Sequence, residues 1–363
     1  MYFNERPGRV RVVRDGRLQP RPLALIPTTT DAEMGLLGMA VAPDDDFVYV
    51  FATAPDGATN RVYRVRAGGG AAEAVVEGLP ASVYHNGGGV AFSSDGSLLV
   101  SNGDRHEDDR AQDPAVLGGK VYRFTAQGTV PRDNPFGDSP TFALGLRNPY
   151  GLAVDPVSGD PFVTDNGPDE FDEINRVRAG GNYGWPLVVG PGSLPGEVEG
   201  TYHEPLLSYR DIVVPTGIAF AEASRRLGQV SGDLFFATYG EQAIHRVQLD
   251  GRRERALSDE IVIRSPEPVV ALAWGPRGLY FSTPTSVRVL PFSRTEAGDA
   301  TRTPRSAPPE ADEGRPSPRS KPSVAGRVVQ VFVAALLLAA LAWSLGAGRR
   351  GRRPGPDHRD GDG

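Results

Sequence analysis

The segment GLAVDPVSGDPFVTDNG, residues 151–167, contains an apolar run, a turn rich in Pro, Asp and Gly, and a second apolar run. The same order recurs four more times along the chain. The other copies are GMAVAPDDDFVYVFAT from Gly38, GVAFSSDGSLLVSNGD from Gly89, GIAFAEA followed by GDLFFATYG from Gly217, and ALAWGPRGLYFSTP from Ala271. Short apolar runs joined by turn residues of this kind are typical of β-hairpins. The sequence therefore predicts five related hairpins.

A third segment, in which apolar and polar residues alternate, follows each hairpin. These segments are RVYRVRA after Asn60, KVYRFTA after Gly119, EINRVRA after Asp172, IHRVQLD after Ala243 and VRVLPF after Ser286. Three-stranded units spaced roughly fifty to sixty residues apart are typical of propeller blades. A sandwich would account for the strands but not for the spacing. We therefore expect an all-β fold, a six-bladed β-propeller, over residues 1–293.

The first blade is expected to be incomplete. Residues 9–13 resemble the third strand of a blade, and the preceding strands of that blade have no residues to form them. An open blade edge leaves backbone groups unpaired, which is costly. The sequence therefore favours a true start upstream of Met1, in a region that also carries a signal peptide.

Composition excludes some classes of protein. The formal charge of −6 gives no general basis for nucleic-acid binding, because such binding needs a basic surface. The chain has no Cys, so it has neither disulfides nor thiolate metal ligands. Its 45 Gly and 33 Pro, placed between β-branched and aromatic runs, favour strands over helices.

The C-terminal region has a different composition. Residues 294–327 are rich in Pro, Ser, Arg, Glu and Ala and have almost no large apolar side chain, so we expect a disordered stalk. Residues 328–348 are apolar and uncharged over a length that suits a transmembrane helix.

Charges beside this apolar run predict its orientation. The short tail, residues 349–363, begins with the basic cluster Arg349, Arg350, Arg352 and Arg353, whereas Arg327 is the one charge at the other end. A basic cluster beside a membrane span tends to stay cytoplasmic. We therefore expect a single-pass protein of the cell membrane, with the propeller outside the cytoplasm and the tail inside.

Two residues are candidates for proton transfer. His85 lies in YHNGGGVAF, ahead of three glycines that let the backbone approach a ligand closely. An imidazole titrates near neutral pH, so His85 is a candidate general base for a hydroxyl proton. Asp104, in SNGDRHEDD, ends a predicted strand and is a candidate to orient His85. A hydrogen-bonded turn at His85 and a capped turn at Asp104 remain open as alternatives.

Other residues in and after the segment GLRNPYG are suited to bind anions or cations. Arg147 and Asn148 supply a guanidinium fork and an amide for a carboxylate or carbonyl oxygen, the alternative being a salt bridge between blades. Gly167 and Pro168 form a corner that exposes carbonyls. With the acidic residues that follow, they are suited to a hard cation such as calcium, although such acidic runs are more often solvated surfaces. These acidic residues are Asp169, Glu170, Asp172 and Glu173.

Six motifs together resemble a known family. They are YHNGGGVAFSSDGSLLVSNGD, LGGKVYRF, PRDNPF, GLRNPYGLAVDP, NGPDEFDEIN and GGNYGWP. They occur in the order seen in the soluble glucose and sorbosone dehydrogenases that use pyrroloquinoline quinone (PQQ), and GLLGMAV from Gly35 is also similar. The resemblance covers roughly residues 5–290. It implies a six-bladed propeller with the quinone on its axis over calcium, and the oxidation of an aldose hydroxyl.

The resemblance also implies roles for single residues. His85 is similar to the catalytic base of the family, and Arg147 and Asn148 resemble its quinone contacts. Glu33, just before GLLG, stands where an acidic or amide residue contacts the cofactor.

Four residues resemble the calcium ligands of the family. Gly167 and Pro168 correspond to the carbonyl ligands of the quinone-bound calcium. Glu173 and Tyr183 resemble a second, structural calcium site.

Three cations of the family pattern are replaced in this sequence. Family members have one Lys and two Arg that bind the cofactor's carboxylates, and the corresponding residues here are Gly240, Pro268 and Val270. Anions in a partly desolvated pocket need paired cations. At about 1.5 to 3 kcal/mol per charged hydrogen bond, we expect PQQ binding to be weaker by several kcal/mol. Candidates to compensate are Arg246, Arg264 and Arg288.

Two functions therefore remain. The first is a membrane-anchored, PQQ-dependent sugar dehydrogenase with calcium as a second cofactor and a sugar as substrate. The second is a non-catalytic, calcium-stabilised extracellular propeller that acts as a binding module. Fold alone does not decide between them. His85, Arg147 and Asn148 favour the enzyme, whereas the replaced cations favour the binding module.

Overall fold

The computed structural model describes residues 1–44, 46–223, 225–292 and 332–333. Their regular structure is β, apart from two short 3-10 helices, Asp108–Gln112 and Arg225–Val230. In chain order, strands β1 to β26 are Tyr2–Glu5, Arg9–Arg14, Arg17–Leu18, Ala24–Leu25, Leu36–Val41, Phe47–Thr53, Thr59–Arg66, Glu73–Pro80, Val90–Phe92, Leu98–Asn102, Lys120–Phe124, Thr141–Leu144, Pro149–Val154, Pro161–Asp165, Asp172–Arg176, Gly181–Asn182, Thr201–Tyr202, Leu207–Tyr209, Pro215–Phe220, Leu234–Thr238, Ala243–Leu249, Ala256–Arg264, Ala271–Gly275, Gly278–Ser282, Val287–Pro291 and Phe332–Val333. The all-β prediction is confirmed for the described residues.

Five sheets correspond to the five sequence repeats. They are β5-β6-β7-β8, β9-β10-β11-β12 extended by β16 and β17, β13-β14-β15-β18, β19-β20-β21-β22, and β23-β24-β25. In each sheet the predicted hairpin and third strand pair antiparallel in chain order, so these predictions are confirmed. The first strands of successive sheets pack against one another, β5 on β9, β9 on β13, β13 on β19 and β19 on β23. The five sheets are thus blades of a propeller.

The N-terminal sheet differs from the prediction. Strand β1 pairs antiparallel with β2, from Tyr2 opposite Val12 to Glu5 opposite Arg9. The expectation that no residues form a strand ahead of residues 9–13 is therefore wrong. The sequence pattern did not reveal this strand because it contains the polar residue Asn4. In the structure Asn4 is buried, and its Nδ2 donates to the carbonyl oxygens of Leu37 and Gly38, at 3.0 and 3.3 Å.

The predicted C-terminal segments lie almost wholly outside the described residues. This holds for the stalk, residues 294–327, for the tail, residues 349–363, and for all but two residues of the predicted helix 328–348. Those two residues form β26, which runs parallel to β1, so at this point the structure has a strand where the sequence predicts a helix. Among the described residues, no helix has the length and apolar character to cross a membrane.

Glycine at the start of the repeat has a steric cause. A Cβ built on Gly151 would lie 2.3 Å from the carbonyl oxygen of Thr216, in the first strand of the next blade. A Cβ built on Gly217 would lie 2.5 Å from the Cα of Ala271, one blade further on. The first strands therefore approach so closely that only glycine fits at these positions.

Hydroxyl side chains on second strands connect neighbouring blades. Thr164 accepts from the N–H of Gly151 in its own blade at 2.8 Å and donates to the carbonyl of Thr216 in the next blade at 2.7 Å. Ser101 makes the same two bonds one blade earlier, with Gly89 and Pro149. These bonds satisfy the backbone groups where the first strands begin.

A buried ion pair joins the third and fourth blades at the opposite end. Arg253, in the turn after β21, donates from Nε and Nη2 to the two carboxylate oxygens of Asp155 at 2.7 and 3.0 Å. Asp155 lies in the turn after β13 and is fully buried. Nη2 of Arg253 also donates to the carbonyl of Gly232 at 2.5 Å. A charge pair out of water is retained only when its hydrogen bonds are satisfied in this way.

Candidate active site

Strand order places the predicted site residues at one end of the propeller. In each blade the first strand starts, the second ends and the third starts at this end, because the strands are antiparallel. Glu33, His85 and Arg147 lie just before first strands, and Asp104 and Gly167 lie just after second strands. Loops on a rigid scaffold commonly carry functional residues.

His85 and Asp104 form a buried pair. Nδ1 of His85 lies 2.6 Å from Oδ1 of Asp104. The backbone of His85 has a left-handed conformation, with φ of 58°, which is uncommon for a residue other than glycine. Its N–H donates to Oε2 of Glu33 at 2.7 Å, and this bond holds the conformation.

The pKa shifts of His85 and Asp104 indicate how the pair is protonated at neutral pH. Burial, with added repulsion from Arg147 and His106, lowers the pKa of His85 to about 4. Burial alone would raise the pKa of Asp104, but the hydrogen bond and charge of His85 and the N–H of His106 hold it below its usual value. At neutral pH an ionised Asp104 therefore accepts from Nδ1–H of a neutral His85. Nε2 of His85 is then left with the lone pair that a general base requires.

Two further groups contact this pair. The indole Nε1–H of Trp185 donates to Oδ2 of Asp104 at 2.8 Å. The ring of His106 stacks on that of His85 with centroids 3.7 Å apart. Neither role was predicted from the sequence, although Trp185 belongs to the quoted motif GGNYGWP and His106 to SNGDRHEDD.

Glu33 lies beside this pair, on a loop that is held in place by Arg6. Burial raises the pKa of Glu33 to about 6, opposed by the N–H of His85 and the charge of Arg147. Arg6 holds the loop that carries Glu33, because its Nε donates to the carbonyl of Met34 at 2.7 Å. Sequence reasoning missed Arg6, which follows a strand that was itself not predicted.

Arg147 and Asn148 are fixed by Asp165, a residue that the sequence analysis did not select. The backbone N–H groups of Arg147 and Asn148 donate to the carboxylate of Asp165 at 2.9 and 2.6 Å. The Oδ1 of Asn148 accepts from the N–H of Gly87 at 3.0 Å, which ties this turn to the loop of His85. Burial and the charge of Glu173 raise the pKa of Asp165 to about 8. In the sequence Asp165 is only an Asp at the end of a predicted strand, a pattern that does not distinguish it from an ordinary strand end.

The guanidinium of Arg147 contacts backbone oxygens and an aromatic ring. Its Nη1 donates to the carbonyls of Asn166 and Gly167 at 3.0 and 2.8 Å. The same group lies over the ring of Trp185, 5.4 Å from the centroid. A carbonyl oxygen has two lone pairs, so the carbonyl oxygen of Gly167 can still bind a cation or accept a second hydrogen bond.

All four predicted metal-binding residues line one small pocket beside Arg147. They are Gly167, Pro168, Glu173 and Tyr183. Burial raises the pKa of Glu173 to about 7, although Nδ2 of Asn175 donates to its Oε2 at 2.9 Å. Tyr183 uses its hydroxyl within the protein, donating to the carbonyl of Arg176 at 2.7 Å. Its backbone carbonyl is thus the group that it offers to a metal.

Asp172 and Glu170, two other acidic residues of this run, have structural partners. The carboxylate of Asp172 accepts from the N–H groups of Gly167, Val213 and Val214 at 2.9, 2.8 and 2.7 Å. Glu170 lies 3.4 Å from Arg210. Within the described part of the chain, no three His, Asp or Glu residues are grouped to hold a metal. A metal in this pocket would thus depend on carbonyl and amide oxygens as well as on Glu173.

Val270 and Gly240, at positions where the family has a cation, carry no charge, and the three candidate arginines are paired or exposed. Val270 is buried in an apolar cluster, and a Cβ built on Gly240 would lie 2.9 Å from the carbonyl oxygen of Val213. Arg246 is paired with Asp233 and Glu260. Arg264 and Arg288 are exposed on β22 and β25. The expectation that one of these three arginines compensates thus finds no support in their positions.

Comparison with known proteins gives one matching family. Residues 1–285 match the family described as glucose / sorbosone dehydrogenase. A protein of the cyanobacterium Synechocystis sp. is 30% identical over 331 residues, with 77% of each chain covered. The aldose sugar dehydrogenase of Escherichia coli is 33% identical over 154 residues, 39% of this chain and 42% of that enzyme. The structure of the PQQ-bound aldose sugar dehydrogenase of Streptomyces coelicolor superposes with a TM-score of 0.66 at 29% identity, covering 81% of this chain and 85% of that one.

Proposed function

The chain belongs to the glucose/sorbosone dehydrogenase family, and on this basis we propose that it oxidises an aldose hydroxyl with PQQ as the electron acceptor and calcium as a second cofactor. The observation that carries the proposal is the His85–Asp104 pair, because a buried neutral imidazole oriented by a carboxylate is suited to take a hydroxyl proton. Related enzymes of known structure are aldose sugar dehydrogenases, one of them bound to PQQ.

In this mechanism Nε2 of His85 takes the proton of the sugar hydroxyl. Asp104 stays ionised, keeps Nδ1 protonated and stabilises the imidazolium that forms. When bound, PQQ would supply a two-electron acceptor for the hydride on the carbon that carries this hydroxyl. The hydroxyl must lie within hydrogen-bond reach of Nε2, so the substrate binds over the loop of His85.

The residues present fit PQQ in part. Arg147, Asn148 and Glu33 would hold it, since their side chains supply a cation, an amide and a carboxyl group beside the loop of His85. Val270 and Gly240 supply no cation for its carboxylates. The family cofactor is therefore expected to bind, but more weakly than with all three cations in place.

The direct experiment is reconstitution of the purified chain. PQQ and calcium are added, and aldose oxidation is followed with an artificial electron acceptor. We expect turnover that saturates with PQQ and is absent without it. A chain that takes up no PQQ at any concentration would rule out the enzyme. The binding module would then be favoured, and the replaced cations at Gly240, Pro268 and Val270 are the observation behind this second candidate.

Calcium is proposed at two places in the pocket beside Arg147. The carbonyls of Gly167 and Pro168 would hold a calcium ion, which would polarise the quinone. Oδ1 of Asn166, which lines this pocket and is buried without a hydrogen-bond partner, would be a further hard ligand. Glu173 and the carbonyl of Tyr183 would hold a structural calcium. The side chain of Asn175, whose Nδ2 donates to Glu173, has its Oδ1 likewise buried without a partner, so oxygen donors suited to a hard cation lie beside Glu173.

Replacing Glu173 by Gln tests the structural calcium. Calcium bound to the folded state alone stabilises it by about 2.7 kcal/mol at a hundredfold excess over the dissociation constant. A chelator should therefore lower the melting temperature of the wild type and have little effect on Glu173→Gln. Glu170→Gln, in the same loop but paired with Arg210, is the matched control and should keep the wild-type response. A chelator effect that survives in Glu173→Gln would count against this site.

Membrane attachment is proposed from the sequence of residues 328–348 and the basic cluster after it. The propeller would lie outside the cytoplasm and the tail inside, which needs an export signal. The pairing of β26 with β1 is a competing use of the same segment, since one residue cannot lie both in this strand and in a membrane helix. In that case the N-terminal sheet would complete a sixth blade.

Protease treatment of intact cells separates these two uses. For an anchored protein, cleavage within residues 294–327 should release a soluble propeller, because such a stalk is accessible. A reporter fused after Arg353 should remain protected. A protected propeller with an accessible tail would reverse the orientation, and a chain that does not fractionate with membranes would rule out the anchor.

A further inference from the structure

Trp185 contacts both halves of the candidate site. Its Nε1–H donates to Oδ2 of Asp104 at 2.8 Å, and the face of its ring lies 5.4 Å from the guanidinium carbon of Arg147. Asp104 orients the candidate base, and Arg147 is the candidate cofactor cation. Trp185 therefore connects the pair that would move the proton with the arginine that would bind the cofactor.

The backbone around Trp185 fixes the position of the indole. The N–H of Trp185 donates to the carbonyl of Gly145 at 3.0 Å, and Nε2 of Gln112 donates to the carbonyl of Trp185 at 2.6 Å. Gly145 begins the turn that carries Arg147, and Gln112 ends the 3-10 helix that follows Asp104. The indole is thus placed by the two chain segments that it connects.

The hydrogen bond from the indole restricts the carboxylate of Asp104. Oδ1 accepts from His85 Nδ1 and from the N–H of His106, and Oδ2 accepts from Trp185. With donors on both oxygens the carboxylate cannot rotate without losing a bond. An indole N–H is a donor only, so it cannot take the proton that His85 must hold on Nδ1.

We propose that Trp185 is a positioning residue for the dehydrogenase reaction, acting through Asp104 on His85 and through its ring on Arg147. The inference rests on the proposed function and adds a residue to its machinery. Trp185 acts here through other side chains and not as a platform on which the sugar stacks.

Trp185→Phe separates the two contacts, because Phe keeps an aromatic face for Arg147 and lacks the N–H. We expect kcat to fall about tenfold, in keeping with the loss of one hydrogen bond to a charged group. KM for the aldose should change by less than about twofold. A sugar platform would give the opposite result, a raised KM with kcat unchanged, and would overturn the proposal.

A double-mutant cycle tests whether the effect passes through Asp104. In an Asp104→Asn background, Trp185→Phe should reduce kcat by less than about threefold, because the acceptor of the indole bond has already been altered. If the reductions in kcat of the two single variants multiply fully in the double variant, Trp185 acts independently of Asp104, and the proposal is wrong. Trp274→Phe, in the apolar cluster of the last blade, is the control for loss of an indole and should leave kcat unchanged.

A readout without cofactor comes from the indole N–H signals of the ¹⁵N-labelled full chain. The chain has three Trp residues, so Trp185→Phe identifies its own signal by deleting it. This signal should move in Asp104→Asn, and that of Trp274 should not. An unmoved signal would overturn the contact even if the wild type turns over. If the wild type shows no turnover, the proposed function fails while the signal still decides the contact.

Discussion

His85→Gln should lower the turnover of aldose by about 10²- to 10⁴-fold, the usual cost of removing a general base. Gln keeps a polar side chain of similar reach but cannot accept the hydroxyl proton. The measurement is turnover with an artificial acceptor at saturating PQQ and calcium. The absorbance of bound PQQ should remain, because the proposed cofactor contacts Arg147 and Asn148 are intact.

The pH dependence of the wild type is an independent test of the same assignment. The base acts in its neutral form, so activity is lost as pH falls through the pKa of His85. Because burial lowers this pKa to about 4, kcat/KM should persist well below pH 6.5, the ordinary value for histidine.

The control for His85→Gln is His245→Gln, which alters a histidine bonded to Asp259 and Glu241 outside the site. This variant should keep the wild-type turnover of folded protein. Unchanged turnover in His85→Gln would remove its catalytic role.

Arg253→Met should lower the free energy of unfolding by about 3 to 5 kcal/mol, because it leaves the carboxylate of Asp155 buried without its cation. The expected loss is a large fraction of the stability of a typical domain. Urea unfolding followed by circular dichroism provides the measurement. The site lies at the other end of the propeller, so the PQQ requirement of the folded variant should not change.

The matched control for this ion pair is an exposed one. Arg255 lies 3.5 Å from Asp250 in the same turn, and its side chain is 78% exposed. Arg255→Met should therefore leave the free energy of unfolding close to that of the wild type. Equal effects of the two substitutions would show that burial of the Asp155–Arg253 pair does not matter.

The blades were predictable because their signal is local. Each hairpin is encoded by alternating apolar residues and by turn residues within about twenty positions, so pattern alone predicts β9, β10 and β11. Strand β1 was missed because its four residues include Asn4, whose burial depends on carbonyls more than thirty residues away. The Asp155–Arg253 pair spans 98 residues, and its geometry follows from the packing of two blades.

The candidate site shows the same division. His85 and Asp104 are 19 residues apart on neighbouring loops, and their pairing was anticipated from strand order. Trp185 lies 81 residues from Asp104, and its contact requires knowing that β16, which follows the third strand of one blade, joins the sheet of the blade before it. Asp165 was overlooked because a buried carboxylate that accepts two backbone N–H groups has the same sequence pattern as an ordinary strand end.

Anaerobic single turnover of the reconstituted chain tests the central claim most directly. Purified protein loaded with PQQ and calcium is mixed with an aldose in the absence of any acceptor, and the absorbance of the cofactor is followed. The proposed function predicts that the spectrum of oxidised PQQ is replaced by that of the reduced cofactor in the wild type, and about 10²- to 10⁴-fold more slowly in His85→Gln. Bound, oxidised PQQ that no aldose reduces in the wild type would contradict it.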